Sequence, residues 1–186
     1  MLVMTRWLLE RTDAVLVVVD LQVRLLPHIP DADRVVDRAR RLVEAARIVG
    51  LPILWTEQEN LGETAPPLAA VLAPGSPIQK IHFGCFGSEA FVGALEATGR
   101  RTLVLCGIEA HICVGQTALQ ALERGYGVHV VADAVASRNP ADRDVAFERV
   151  RQAGGVVTCW ESALYELLGR AGSDEFRACL PLVKGG

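Results

Sequence analysis

Short apolar runs alternate along the chain with longer segments in which apolar residues recur at every third or fourth position. Residues 13–20 form a valine-rich run between two aspartates, which is typical of a strand buried on both faces of a sheet. In residues 33–49 the apolar positions recur at spacings of three and four, which predicts an amphipathic helix that ends at Gly50. These two segments predict a strand followed by a helix.

The same alternation continues to residue 171. Further strands are predicted at residues 51–56, 78–82, 101–107, 127–132 and 155–159, and further helices at residues 68–72, 88–98, 114–124, 140–153 and 161–171. About six strands that alternate with helices, without a repeat or a linker, predict an α/β fold. We therefore expect one domain over residues 1–186, a three-layer α/β/α sandwich around a parallel sheet.

Composition and charge exclude several classes of protein. With 51% hydrophobic and 22% charged residues, the 186-residue chain is predicted to be globular with one large core. A net charge of −3 without a basic block argues against nucleic acid as a partner. The apolar runs are about as long as a strand, far short of the ~20 residues that cross a bilayer, so no membrane partner is expected. Residues 1–9 carry no cleavage signal, which predicts a cytoplasmic protein.

Three chemically competent residues fall near the ends of predicted strands. Asp20 ends the first strand, Lys80 lies in the short third strand, and Cys113 follows the fourth strand in the turn that opens a helix. Ligands of open α/β sheets bind at the carboxyl ends of strands, so these residues are predicted to meet there. Helix N–H groups and a neighbouring ammonium would lower the pKa of Cys113 from about 8.5 toward ~4 to 7. Cys113 is then the candidate nucleophile, Asp20 the general acid and base, and Lys80 the cation that holds both charges.

Other functions fit the pattern less well. An aspartyl-phosphate enzyme prefers Asp-x-Asp, but residue 22 is Gln, and no G-x-G-x-x-G turn follows the first strand. The five cysteines, at positions 85, 106, 113, 159 and 179, contain no C-x-x-C pair, so no disulfide framework and no thiolate zinc site are expected. A redox-sensing role lacks a predicted resolving cysteine beside Cys113. A non-catalytic, oligomeric scaffold that retains the fold remains the alternative from another class.

The segment Gly107-Ile-Glu-Ala-His-Ile-Cys113-Val, followed by Gln116-Thr-Ala, resembles the nucleophile segment of the isochorismatase-like cysteine hydrolases. The resemblance extends to Val19-Asp-Leu-Gln22, to Lys80 and to Val131-Ala-Asp-Ala134, and it covers roughly residues 13–171. It implies a six-stranded parallel sheet between helical layers and a triad of Asp20, Lys80 and Cys113. The activities that it implies are mostly the hydrolysis of amides or ureides through a thioester acyl-enzyme.

The resemblance also implies details of the site and of the assembly. A non-proline cis peptide bond is expected between Ile108 and Glu109, and the backbone N–H groups of Glu109 and Cys113 are expected to form an oxyanion hole. Family members commonly form dimers or larger assemblies, which predicts a homo-oligomer. The partner of the site is expected to be a small-molecule substrate.

Two departures from better-known branches refine this expectation. Nicotinamidases of the family carry an Asp-x-His metal motif after the second strand, but residues 29–81 contain no histidine, so neither a metal nor another cofactor is expected. Isochorismatases themselves need no cysteine at the nucleophile position, so Cys113 indicates the thiol-dependent branch of hydrolases without a settled substrate. His111, two residues before Cys113, is not expected to act as the base. The substrate pocket is predicted to be lined by Gln22, Trp55, Gln58, Phe83 and Phe86.

Overall fold

A computed structural model describes residues 7–185. The prediction that residues 1–9 carry no cleavage signal falls mostly on residues 1–6, which lie outside the described residues. Six strands form one sheet in the order β3-β2-β1-β4-β5-β6, and all of its neighbouring strands are parallel. The strands are β1 (Ala14–Val19), β2 (Ile53–Gln58), β3 (Ile78–Lys80), β4 (Thr102–Ile108), β5 (Gly127–Ala136) and β6 (Val156–Thr158). The predicted α/β class and parallel sheet are confirmed.

Seven α-helices connect and cover the strands within residues 7–185. They are α1 (Ala32–Val49), α2 (Pro66–Leu72), α3 (Glu89–Ala97), α4 (Gly115–Glu123), α5 (Pro140–Gln152), α6 (Trp160–Leu168) and α7 (Asp174–Lys184). One face of the sheet packs on α1, α2, α6 and α7, and the other face packs on α3, α4 and α5. The sandwich therefore has three layers.

The sequence of β1 explains its central position. All six residues are buried, and alternate side chains point to opposite faces of a strand. Ala14, Leu16 and Val18 belong to the core under α1, whereas Val15, Val17 and Val19 belong to the core under α4. A strand that contributes to two cores must be apolar at every position. The first α-helix ends as predicted, at Gly50, which takes a left-handed φ of 72°.

Some elements differ from the sequence predictions. The fifth strand continues through Asp133 to Ala136, because Val135 and Ala136 pair with Gly107 and Ile108 of β4 after a shift in register. The Asp133 carboxylate accepts a hydrogen bond from Trp160 N (2.8 Å) at the start of α6. The sixth helix ends earlier than predicted, at Gly169, which has a φ of 68°. The C-terminal helix α7 was not predicted. It begins at Ser173, whose side chain accepts a hydrogen bond from Phe176 N, and it packs against α1.

No helix among residues 7–185 combines the length and the apolar character that crossing a membrane requires.

Candidate active site

Asp20 and Lys80 form a buried ion pair at the carboxyl edge of the sheet. Lys80 Nζ lies 2.6 Å from Asp20 Oδ2, and both side chains are fully shielded from solvent. Asp20 follows the last residue of β1 in a left-handed conformation (φ 51°), which aspartate tolerates better than most residues. Because β2 lies between β1 and β3, the two charged side chains meet above the end of β2.

Each partner of the ion pair is held by further hydrogen bonds. The Lys80 ammonium also donates to Gln58 Oε1 (2.8 Å) and to the backbone carbonyls of His82 (3.2 Å) and Phe83 (3.1 Å). The second oxygen of Asp20 accepts a hydrogen bond from Thr56 Oγ1 (2.7 Å). Both charges are thus compensated and the geometry of the pair is fixed, as a buried ion pair requires.

Cys113 lies in a π-helical turn, Ala110–Val114, rather than at the opening turn of a regular helix. The Glu109 carbonyl accepts hydrogen bonds from the N–H groups of Ile112 (3.1 Å) and Val114 (3.1 Å). The peptide bond between Ile108 and Glu109 is cis. π-Helical turns are rare and frequently occur at functional sites. Here the turn places the nucleophile candidate beside Asp20.

The expected low pKa of Cys113 is wrong in this geometry. Burial, together with the Asp20 carboxylate, raises the pKa of the Cys113 thiol to about 12, although Lys80 acts in the opposite direction. The Asp20 carboxylate lies near the thiol, and a neighbouring anion favours the neutral form of a thiol. The sequence indicated the helix and the lysine but gave no measure of burial. Cys113 therefore rests as a neutral thiol near a carboxylate.

A cavity of about 170 Å³ opens onto Cys113. This volume lies below the ~300 Å³ at the lower end of typical ligand pockets, so the cavity fits a small molecule. Gln58 and Phe83, two of the residues predicted to line a substrate pocket, line this cavity. The remaining lining residues are Leu25, Leu61, Glu109, Ile112 and Arg138.

Three residues predicted for the pocket do not line this cavity. Gln22 is fully buried, and its side chain holds the backbone of Gln58 and Gly62 in place. Trp55 lines a different cavity, next to α2, because its side chain points to the sheet face opposite that of Leu54. Phe86 packs edge-on against Phe91 in the core, with ring centroids 5.4 Å apart.

Sequence reasoning missed Arg138 and the burial of Cys85. Arg138 forms an ion pair with Glu109, which follows the cis bond. Cys85 is fully buried, and its N–H donates to Thr117 Oγ1, which in turn donates to the Cys113 carbonyl. Thr117 is a polar residue one helical turn after Cys113, and this spacing could have indicated its contact with the Cys113 carbonyl. The position of Arg138 depends on the register between β4 and β5, which the sequence does not give.

Among residues 7–185 no three His, Cys, Asp or Glu side chains are grouped so that they could hold a metal ion. His111, which was not expected to act as the base, places its Nδ1 2.9 Å from Ser137 Oγ and 3.5 Å from Glu109 Oε2.

Comparison with known proteins places this arrangement in context. The family model described as the isochorismatase domain matches residues 14–162. Isochorismatase domain-containing protein 2A of Mus musculus is 38% identical over 178 residues, which span 92% of this chain and 82% of that protein. The structure of the MAR1 ribonuclease from Caenorhabditis elegans is 37% identical with a TM-score of 0.89, over 95% of this chain and 92% of the other. The structure of YcaC from Escherichia coli, described as an octameric hydrolase of unknown specificity, is 28% identical with a TM-score of 0.87, over 94% and 90% of the two chains.

Proposed function

Because the chain belongs to the isochorismatase family of hydrolases, we propose that it is a metal-independent cysteine hydrolase of a small amide, ureide or related carbonyl compound. The proposal rests on one observation. The Asp20–Lys80 ion pair and the Cys113 thiol meet beside a cavity of about 170 Å³. A nucleophile, a base within hydrogen-bonding reach and a group that orients the base are the parts that nucleophilic catalysis needs.

The first step is the attack of Cys113 on the substrate carbonyl. Asp20 accepts the thiol proton as the C–S bond forms, so no free thiolate is needed beforehand. Lys80, 2.6 Å from Asp20, orients the carboxylate and compensates its charge. The raised pKa of Cys113 agrees with such coupled proton transfer, because the thiolate becomes favourable only as its charge moves onto the substrate.

The negative charge then develops on the carbonyl oxygen. The backbone N–H groups of Glu109 and Cys113 are the proposed donors to this oxyanion, and a donor of this kind contributes ~3 to 4 kcal/mol in comparable enzymes. Collapse of the tetrahedral intermediate breaks the C–N bond, and Asp20 gives its proton to the leaving amine. A thioester acyl-enzyme remains.

Water completes the cycle. Asp20, again a carboxylate, accepts a proton from water as the hydroxide attacks the thioester, and the proton returns to the Cys113 sulfur as the acid leaves. All these transfers use side chains of this chain, and no metal or organic cofactor enters the proposed scheme.

The ribonuclease description of the Caenorhabditis elegans structure suggests a different substrate. A cavity of about 170 Å³ and a net charge of −3 do not favour a polyanionic strand, which proteins bind through clusters of Lys and Arg. We therefore assign small molecules, rather than nucleic acid or membranes, as partners. By analogy with the octameric YcaC, the chain is proposed to form a homo-oligomer. The cytoplasm is proposed as its location.

A panel of small primary amides and ureides tests the function through released ammonia, with an oligoribonucleotide as a separate substrate. We expect hydrolysis by the wild type in the presence of a chelator, a thioester adduct on Cys113 by mass spectrometry, and losses of at least about a hundredfold in Cys113→Ala and Asp20→Asn. Cys106→Ala, in a buried strand away from the site, is the control. No turnover of any amide with an intact oligomer would favour the scaffold, and RNA cleavage would favour the nuclease.

A further inference from the structure

The two halves of the site come from strands that are not neighbours. Lys80 ends β3 and Cys113 follows β4, and the sheet order β3-β2-β1-β4 puts two strands between them. Because neighbouring strands lie about 4.8 Å apart, the ends of β3 and β4 are separated by roughly 14 Å. Sheets twist from strand to strand, so strand pairing alone does not fix this distance to the accuracy that nucleophilic attack needs. A link across the carboxyl edge of the sheet can fix it.

The loop after β3 provides one end of such a link. Lys80 Nζ donates to the carbonyls of His82 (3.2 Å) and Phe83 (3.1 Å), so the ammonium holds the first part of the loop. The next turn, Cys85–Gly87, packs against α4, the helix that follows Cys113. The loop thus crosses from the lysine to the helix of the candidate nucleophile.

The hydroxyl of Thr117 joins this loop to the nucleophile turn. Its Oγ1 accepts a hydrogen bond from Cys85 N (3.0 Å) and donates one to the Cys113 carbonyl (2.7 Å). Threonine hydroxyls in helices often bond the carbonyl four residues earlier, but here the same oxygen also accepts from another element. Thr117 and Cys85 are both fully buried, so loss of the hydroxyl would leave the Cys85 N–H without its partner and away from water.

Thr117 does not line the space that a substrate would occupy. Cys113 itself lines the cavity of about 170 Å³, whereas neither Thr117 nor Cys85 does. The hydroxyl therefore acts on the site through the backbone of these two cysteines. Both ends of that path reach the centre of the site, because one carries the candidate nucleophile and the other continues the loop that Lys80 holds.

We propose that Thr117 is a positioning residue, whose hydroxyl fixes the distance between the Cys113 thiol and the Asp20–Lys80 pair by joining the nucleophile turn to the loop that Lys80 holds. It keeps the thiol where Asp20 accepts its proton, and it does not contact the substrate. The inference rests on the proposed function for the role of Cys113. The distance that it concerns can nevertheless be tested without a substrate.

Alkylation of Cys113 by iodoacetamide reports this distance through the effect of Asp20. The carboxylate raises the pKa of the Cys113 thiol, so Asp20→Asn should accelerate alkylation at a fixed pH by about tenfold. In Thr117→Val, which has a similar shape without the hydroxyl, the same change at position 20 should accelerate it by less than about threefold, because an electrostatic effect falls with distance. Thr117→Ser keeps the hydroxyl and should keep the full effect. Site-resolved mass spectrometry follows each rate.

Thr98→Val is the matched control. The Thr98 hydroxyl also donates to a carbonyl of its own helix, that of Leu95 (2.6 Å), and also accepts from a backbone N–H, that of Arg100 (3.1 Å), but it lies at the end of α3. Its removal should leave the effect of Asp20→Asn at about tenfold. The inference is overturned if Asp20→Asn has no effect in the wild type, if its effect is unreduced in Thr117→Val, or if Thr98→Val reduces it equally.

A second variant and a second measurement complete the test. If Thr117→Val does not fold, Thr117→Ala replaces it, because a smaller side chain leaves both backbone groups open to water; a reduced effect of Asp20→Asn is again expected, and an unreduced one contradicts the inference. With an amide substrate, loss of the hydroxyl should lower kcat by about tenfold and change KM by less than about twofold. An unchanged kcat refutes the positioning role alone. The expected alkylation rates in a protein that hydrolyses no amide refute the proposed function alone.

Discussion

Lys80 Nζ lies 2.6 Å from Asp20 Oδ2, and neither side chain is exposed to solvent. An ion pair at this depth has given up its hydration, so each partner depends on the other and on the surrounding hydrogen bonds. The carbonyls of His82 and Phe83 and the amide oxygen of Gln58 also accept from the ammonium. The pair therefore holds the loop that forms one wall of the cavity.

Removal of one partner of this pair should destabilise the fold strongly. We expect Lys80→Met to reduce the free energy of unfolding by about 3–5 kcal/mol, because it leaves the Asp20 carboxylate buried and uncompensated. The double variant Asp20→Asn/Lys80→Met should lose less than the sum of the single losses. Urea denaturation followed by circular dichroism measures both. Arg34→Ala, at the exposed pair with Asp31, should cost under about 1 kcal/mol, and additive losses at positions 20 and 80 would contradict the coupling.

The titration of Cys113 should follow its burial and its carboxylate neighbour. With the pKa raised to about 12, the thiolate fraction grows tenfold for each unit of pH below that value. Alkylation of the wild type should accelerate steadily from pH ~6 to ~9, without a plateau in that interval. A plateau below pH ~7 would instead restore the low pKa expected from the sequence.

Asp20→Asn separates thiol acidity from catalysis. The carboxylate raises the pKa of Cys113, so its removal should lower that pKa and accelerate alkylation at a fixed pH. Lys80→Ala should act oppositely, since the ammonium lowers the pKa of Cys113. Hydrolysis by Asp20→Asn should nevertheless fall by about 10²–10⁴-fold, because the proton acceptor is gone. Slower alkylation in Asp20→Asn would contradict this arrangement.

The approach of β4 to β1 depends on Gly107. A methyl group at this position would lie 2.0 Å from the Val19 carbonyl oxygen, and the φ of 130° does not suit other residues. Gly107→Ala should therefore cost more than about 3 kcal/mol of the free energy of unfolding. Gly93, in α3, has no atom within 4 Å of such a methyl group, and Gly93→Ala should gain about 0.5–1 kcal/mol. Thermal denaturation of the two variants compares them, and equal melting temperatures would refute the prediction.

The elements that could be predicted from the sequence are those whose pattern has one interpretation. The first strand is apolar throughout, and α1 has helical spacing and a glycine at its end. The last helix, α7, was missed because polar residues occupy much of it and Pro181 lies inside it. Arg41 of α1 accounts for its docking by donating to the carbonyls of Leu182 and Gly185 at the end of α7. Such a long-range contact leaves no local pattern.

The candidate site was predictable only where local sequence features identify a residue. Asp20, Lys80 and Cys113 were identified from strand ends and from a resemblance, and the structure brings them together. Trp55 and Phe86 were misplaced because the sequence does not say which face of the sheet or which side of a loop a side chain takes. The pKa of Cys113 was wrong because burial depends on how the whole fold closes over the thiol.

The strand order β3-β2-β1-β4 has a consequence for how the site arises during folding. Its three central residues lie at positions 20, 80 and 113, so each contact between them closes a loop of dozens of residues. No helix or strand among residues 7–185 contains two of them, so the complete site needs the sheet from β3 to β4. Long-range contacts of this kind form late and slowly. Slow alkylation of Cys113 is accordingly a reporter of complete folding, because the thiol is buried and its pKa is raised only when the sheet is assembled from β3 to β4.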